Sequence, residues 1–467
     1  MRSASTPPAR WTERTGTVRR SDRTPWWSGL LVFVVALAIR LFFLTLIPRD
    51  ALQPSTDWEL DSIAMSLATT GEFANPYVVP TGPTAHLPPI PPAILALIYK
   101  VFGITITAGI AGWLFRMLAQ SAIWGLLPWI CVRVGVGWKA GFAGGLAGAL
   151  FPQWLAHGEA LAAVLLGLLV VAVVKRWESI PRSAGSLLLG LAFGISFHVQ
   201  PVFLLVLIGY LGFELYWRSD RGKWRSTALV AIAALVACIP WGVRNYRAFD
   251  AVFFVRSNFG LELRMGNHDG AEASIDHPHF QNEPPHPRTH PEDALKVREW
   301  GEVPYMRESG REARAWIASN PGEFSRLTAE RIGYFWLGPL DRPGIALLFA
   351  ILTGFALIGA VRVIRVLPPS QTAALMIPLL LYPLVYYLVP WQHRYRFPIE
   401  WILFLLAGYA VLGLVSPDGA PGRIRAPAAP ARVSPDRASD SISGPGPADR
   451  SRLSGRDRRT SAAPPTG

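Results

Sequence analysis

Long uncharged runs, divided by short turns that carry most of the arginine and lysine, constrain this chain more than any other feature. A bilayer core is crossed by about 20 apolar helical residues, and in lipid a helix is the element that satisfies its own backbone. The sequence offers about ten such stretches, some of them short. They lie near residues 28–47, 108–131, 138–153, 159–174, 184–199, 201–217, 226–242, 343–361, 370–389 and 397–415. The chain is 51% hydrophobic and 16% charged over 467 residues, with a mean hydropathy of +0.28. Soluble domains seldom combine so few charges with so many apolar runs. The expected fold is an all-α polytopic membrane protein with additional helices at one membrane surface.

The net charge of +13 would suggest nucleic acid if it lined one soluble face. It lies instead in the tails and turns, so no nucleic-acid partner is expected. Arg133 and Lys139, Lys175 and Arg176, Arg218 to Arg225, and Arg362 and Arg365 mark alternate turns, whereas the turns near 152–159 and 197–201 hold no Lys or Arg. That alternation follows the positive-inside rule and predicts cytoplasmic termini in an inner (plasma) membrane. The basic tail 1–27 and the tail 416–467, rich in Pro, Ala, Ser, Gly and Arg and too polar to bury a core, then lie inside. Residues 28–415 form the membrane domain, and segments 48–107 and 243–342 lie on the outer side. The apolar run 26–47 is too long for a signal-peptide core, and no small-residue cleavage pattern follows it. Cys131 and Cys238 sit in apolar runs and suggest neither a disulfide framework nor a zinc site. GFAGGLAGAL at 141–150 spaces Gly141/Gly145 and Gly144/Gly148 for close helix packing. No internal repeat is evident.

The first outer segment carries TDWELDSIAMSLATTGEF at 56–73, with Asp57, Glu59 and Asp61 within five residues. One reading is local. Thr56 and Glu59 have capping-box spacing, and Asp57 and Asp61 share a solvated helix face while Glu59 points about 200° from Asp57, at the border of the apolar face. The other reading is chemical. A surface helix, a Pro-rich stretch and a short apolar helix at 92–102 form an elaborate way to join two spans, and such a loop can build a site.

Several residues in order carry a resemblance. Asp-Trp-Glu followed by Ile-Ala-x-Ser-Leu-Ala, then Gly-Glu-Phe, then Pro-Thr-Ala-His-x-Pro-Pro and Phe-Gly, resembles the first outer loop of family 39 polyprenyl-phosphate-sugar glycosyltransferases. This group includes the protein mannosyltransferases and aminoarabinose transferases. PWGVRNYRAFDAVFFVRSNFGLELRMGNHDG at 240–270 and HRYRFPIEWILFLLAG at 393–408 continue it. The resemblance implies a C-type glycosyltransferase fold and inverting transfer of a sugar from a polyprenyl phosphate to a lipid, glycan or protein acceptor on the outer face. It also implies one loop acid as base. Alignment on Ile63-Ala64 favours Glu59, and alignment on the first acid favours Asp57. Glu59 is taken first and Asp57 second. A carboxylate can take the acceptor hydroxyl's proton, and the departing phosphate needs positive charge or hydrogen-bond donors.

The other candidates follow from position. His157 and Glu159 stand at the outer end of the fourth span, where the family places a second acid to orient the acceptor or to share a divalent metal; an interfacial helix cap explains them equally. Arg394 and Arg396 break the positive-inside pattern, either to meet a lipid phosphate or to anchor the chain beside Trp391 and Tyr395. Arg244 is a further phosphate candidate, and His86 and Asn267 are placed at the substrate by the resemblance. Arg40 and Arg116 lie inside apolar runs, where charge marks a partner or a cavity, though Arg40 could also snorkel. Five of the nine histidines fall in the second outer segment without a zinc spacing. Helical stretches at 292–316 and 321–336 could cap the site. The rival functional class is a transporter of a lipid-linked or anionic solute, using the same arginines; the absence of repeats speaks against it.

Overall fold

A computed structural model describes residues 23–152, 159–179, 183–276 and 285–415. The described residues hold sixteen α-helices: α1 (Trp26–Leu44), α2 (Glu59–Thr69), α3 (Ile90–Phe102), α4 (Ile106–Arg133), α5 (Trp138–Leu150), α6 (Ala160–Trp177), α7 (Ser183–Phe197), α8 (Phe203–Trp217), α9 (Lys223–Phe249), α10 (Phe259–Gly266), α11 (Pro291–Trp300), α12 (Glu302–Ser319), α13 (Pro321–Leu337), α14 (Pro343–Val366), α15 (Pro369–Leu381) and α16 (Phe397–Val415). They contain no strand, and only isolated bridges join Ala74 to Pro83 and Ser274 to Trp391.

Each of the ten expected apolar stretches is helical, but they are not equal. Among the described residues six helices are long and apolar enough to cross a membrane: α1, α4, α6, α9, α14, and α16 with the turn before it. The chain is thus an integral membrane protein by its helices. The other four expected spans are shorter. Helices α5, α7, α8 and α15 have 13 to 15 residues, or about 20–22 Å at 1.5 Å per residue, against a hydrocarbon core of about 30 Å.

Small residues explain how the short helices fit. A Cβ on Gly144 would stand 2.4 Å from the Phe404 carbonyl oxygen of α16, and one on Gly141 2.5 Å from that of Leu127 in α4. Helix α5 is therefore clasped on two sides, as close-packing glycines allow. Gly190 and Gly194 do the same for α7 against Val230 and Ala234 of α9. One large apolar core runs through α1, α4–α9 and α14–α16.

Helices α2, α3 and α10–α13 gather where α1 and α9 end and α4, α6 and α16 begin. This is the capped end. Tyr77, from the loop between α2 and α3, is buried in a second small core with Leu261, Met265, Val297 and Tyr305 of α10–α12. Helices α11–α13 cover the two stretches expected to be helical near 292–336. Arg40 does not snorkel: it is 1% exposed, and its Nη1 donates to the Ala36 carbonyl at 2.8 Å. His157 and both expected tails beyond residues 22 and 415 lie outside the described residues.

Candidate functional site

Glu59 is the first residue of α2, and Trp58 precedes it as the cap residue without a side-chain capping bond. The expected Thr56–Glu59 capping box is therefore absent. Instead, Ser62 Oγ donates to the Thr56 carbonyl at 3.1 Å, and Glu59 and Asp61 place negative charge in the first turn, where the helix dipole favours it. Asp57 lies before the helix, so it shares no helical face with Asp61. It is exposed and accepts a 2.6 Å hydrogen bond from Ser55 Oγ. Asp61 turns inward and accepts from Tyr99 of α3 at 2.6 Å; burial raises its pKa.

Glu59 turns inward. Its side chain is 16% exposed, with Oε1 3.5 Å from Arg288 Nε and 4.0 Å from His86 Nε2. No side-chain hydrogen bond reaches this carboxylate among the described residues. Burial raises its pKa, opposed by its own backbone amide and by Arg288; Glu262 and Arg394 also lie close enough for their charges to act on it. Arg288 stacks over exposed Trp58, its guanidinium carbon 5.2 Å from the ring centre. His86 is 3% exposed, and burial, then Arg256, hold its pKa well below the usual histidine range. His286 packs beside it, the rings 6.3 Å apart, and burial pushes His286 down to about 3.

Near enough for its charge to act on Glu59, Arg394 places Nη1 3.5 Å from Glu159 Oε1, with the arginine side chain 48% exposed and the glutamate 14%. Glu159 precedes α6 as its cap residue but makes no side-chain capping bond. Its Oε2 is buried with no hydrogen-bond partner among the described residues. Gln392 accepts from Arg394 Nε at 2.5 Å. Tyr386 stacks on Tyr395 at 4.5 Å, and its hydroxyl is 3.1 Å from that of Tyr382, to which Gln200 Nε2 donates at 3.1 Å.

The remaining sequence candidates are committed to the fold. Arg396 is fully buried and pairs with Glu400 one helical turn on, at 2.6 Å, with Phe349 4.0 Å beneath its guanidinium. It is neither a surface anchor nor open to a phosphate. Arg244 donates to the carbonyls of Thr84 and Phe73 at 2.7 Å each and stacks on Trp241, so it ties α9 to the α2–α3 loop. Asn267 is buried and donates to the carbonyls of Leu263 and Leu388. Among the described residues no group of three or more His, Cys, Asp or Glu is placed to hold a metal ion.

Sequence reasoning did not single out Arg288, Tyr77, Glu302 or the tyrosine row. Glu302 begins α12, yet its carboxylate accepts from Thr84 Oγ1, from the Ala85 amide at 2.8 Å and from Ser257 Oγ at 2.5 Å. It thereby fixes the backbone beside His86. Burial raises its pKa, opposed by those hydrogen bonds. Two of its partners, Thr84 and Ala85, lie more than two hundred residues back in the chain and Ser257 lies 45 back, so no local signal marks it.

No family profile and no curated protein matches this chain. Among solved structures it is similar to the archaeal oligosaccharyltransferase AglB of Archaeoglobus fulgidus in complex with an inhibitory peptide and a dolichol-phosphate, at 12% identity and a TM-score of 0.46, covering 83% of this chain and 50% of that one. It is also similar to the apo form of an Archaeoglobus fulgidus oligosaccharyltransferase, at 13% identity and 0.47 over the same shares. A complex of that enzyme with Zn and sulfate scores 0.43 at 12% identity, covering 83% of this chain and 49% of that one. The chain spans about half the length of these structures.

Proposed function

We propose that this protein transfers a sugar from a polyprenyl-phosphate donor to a lipid, glycan or protein acceptor, with inversion, at the capped end of the bundle and on the outer face of the membrane. The observation that carries this reading is the state of Glu59: a mostly buried carboxylate that no other side chain hydrogen-bonds among the described residues, near enough to the half-exposed Arg394 for that charge to act on it. Burial makes the carboxylate a stronger base than one in water. In the reaction the acceptor hydroxyl oxygen attacks the anomeric carbon, and its proton passes to Glu59. The bond from that carbon to the phosphate oxygen breaks, and the polyprenyl phosphate leaves with the electron pair. Arg394 offers the departing phosphate a charge-assisted donor, and Glu159 is placed to orient acceptor or donor hydroxyls through its unpartnered oxygen. The basic turns support cytoplasmic termini and an outward capped end.

The test is transfer from a panel of polyprenyl-phosphate sugars by purified protein in liposomes, with extracted cell-envelope acceptors. Wild type runs beside Glu59→Gln, with and without a chelator. Transfer by wild type and not by the variant is expected. Equal transfer by both overturns the base assignment. Movement of the lipid-linked sugar across the vesicle wall without covalent product turns the reading to a transporter.

A further inference from the structure

Tyr77 and His86 stand nine residues apart in the α2–α3 loop, and both are almost fully buried. The Tyr77 hydroxyl lies 2.9 Å from His86 Nδ1. The opposite ring nitrogen, Nε2, faces Glu59 Oε1 at 4.0 Å. A neutral imidazole carries a proton on one nitrogen and a lone pair on the other, and the hydrogen bond at one decides the role of the other. Burial and then the Glu302 carboxylate keep the phenol un-ionised, so it can donate or accept; the Glu59 carboxylate opposite Nε2 favours the arrangement in which it donates to Nδ1. His86 is kept neutral by burial and by the cations Arg256 and Arg288. A phenol donating to Nδ1 leaves the proton on Nε2.

We propose that Tyr77 is a positioning residue that locks His86 in the Nε2–H tautomer, so that His86 presents a neutral N–H to the Glu59 carboxylate. The inference rests on Glu59 being the base. The 4.0 Å separation closes to a hydrogen bond when substrate binds beside Glu59, as catalytic contacts often tighten only in the complex. The arrangement has a chemical purpose. A neutral donor orients one carboxylate oxygen and leaves the other for the acceptor proton, without the loss of basicity that a histidinium at the same place would cause. The other tautomer would set a lone pair against the carboxylate. Tyr77 reaches this position because its ring is anchored in the core of α10–α12, so the cap and the base are linked through one side chain.

The experiment is histidine 15N spectroscopy on the full chain in nanodiscs, with His86 assigned by the signal lost in His86→Gln. Transfer activity is measured in parallel. Wild type is expected to show a neutral ring protonated at Nε2, and Tyr77→Phe a mixture of tautomers with about tenfold slower transfer. Glutamine places an amide N–H near the position of Nε2, so His86→Gln should keep activity within about threefold while His86→Phe loses about tenfold or more. A proton on Nδ1 in wild type overturns the proposal. So does a Tyr77→Phe protein with an unchanged tautomer and rate. Full activity in Glu59→Gln would instead remove the base reading, and the spectrum would still report the tautomer on its own.

Discussion

The two ends of the helix bundle each gather charge, and Glu214 at one is held in the opposite way to Glu59 and Glu159 at the other. At the end away from the cap, Glu214 is 2% exposed. It accepts two hydrogen bonds from Arg176, at 2.8 and 2.7 Å, with Trp177, Arg218, Ser226 and Thr227 at 3.3 to 3.4 Å. One carboxylate thus binds α6, α8 and α9, and through Arg176 and Ser186 also α7. At the capped end, Glu59 and Glu159 meet cations at 3.5 Å, and neither has a side-chain hydrogen bond among the described residues. A buried polar group that is fully satisfied rigidifies a fold. One left short of partners holds its hydrogen-bonding capacity for something that arrives. The difference separates a structural cluster from a candidate site without reference to any relative.

Substitution should break that comparison in two directions. Glu59→Gln is expected to reduce transfer by about 10²–10⁴, the usual worth of a general base, while leaving the thermal midpoint in detergent close to wild type. Glu214→Gln should do the reverse. It leaves Arg176 buried and short of its counter-charge, a loss of about 3–5 kcal/mol, seen as a lower midpoint with activity per folded molecule retained. An unstable Glu59→Gln, or a stable but inactive Glu214→Gln, would erase the distinction. Smaller effects sort the two neighbouring arginines. Arg394→Ala should weaken donor use by about tenfold, read as a KM for the lipid phosphate, because it removes a half-exposed charge-assisted donor. Arg396→Gln should act on stability alone, since that guanidinium is closed in by Glu400 and Phe349.

Those arginines also show how far the sequence could be read. Long uncharged runs found the membrane helices, because a helix in lipid is apolar along its length. Glu59 was legible as an acid at the start of an amphipathic helix. Arg396 was misread, although its partner was in plain view: Glu400 is four residues on, the spacing that pairs side chains on a helix. Arg244 could not be read, because its partners are the carbonyls of Thr84 and Phe73, and main-chain acceptors leave no trace in side-chain identity. Arg288 and Glu302 come from the second long segment and meet the first only after the chain has folded. Span number depends on something composition does not carry. Close-packed glycines allow a helix of 13 residues to be buried among longer ones, and hydropathy alone cannot tell that from a full crossing.

The smallest effect sharpens the comparison most, because it tests electrostatics without removing a reacting group. Glu59 must be deprotonated to accept a proton, so activity is lost as pH falls through its folded-state pKa. Burial raises that pKa, and Arg288 lowers it. The acid limb of kcat/KM should therefore lie above the ordinary carboxylate range in wild type. Arg288→Gln should move it further upward, because a counter-charge is gone while the burial remains. At alkaline pH the carboxylate is ionised in both proteins, so the variant's deficit should shrink there. Salt should shift the limb only slightly, since screening acts weakly on groups held away from solvent. A limb that stays fixed in Arg288→Gln would mean that the titrating group is not Glu59, and Glu159 would be substituted next, because its buried Oε2 also has no hydrogen-bond partner among the described residues.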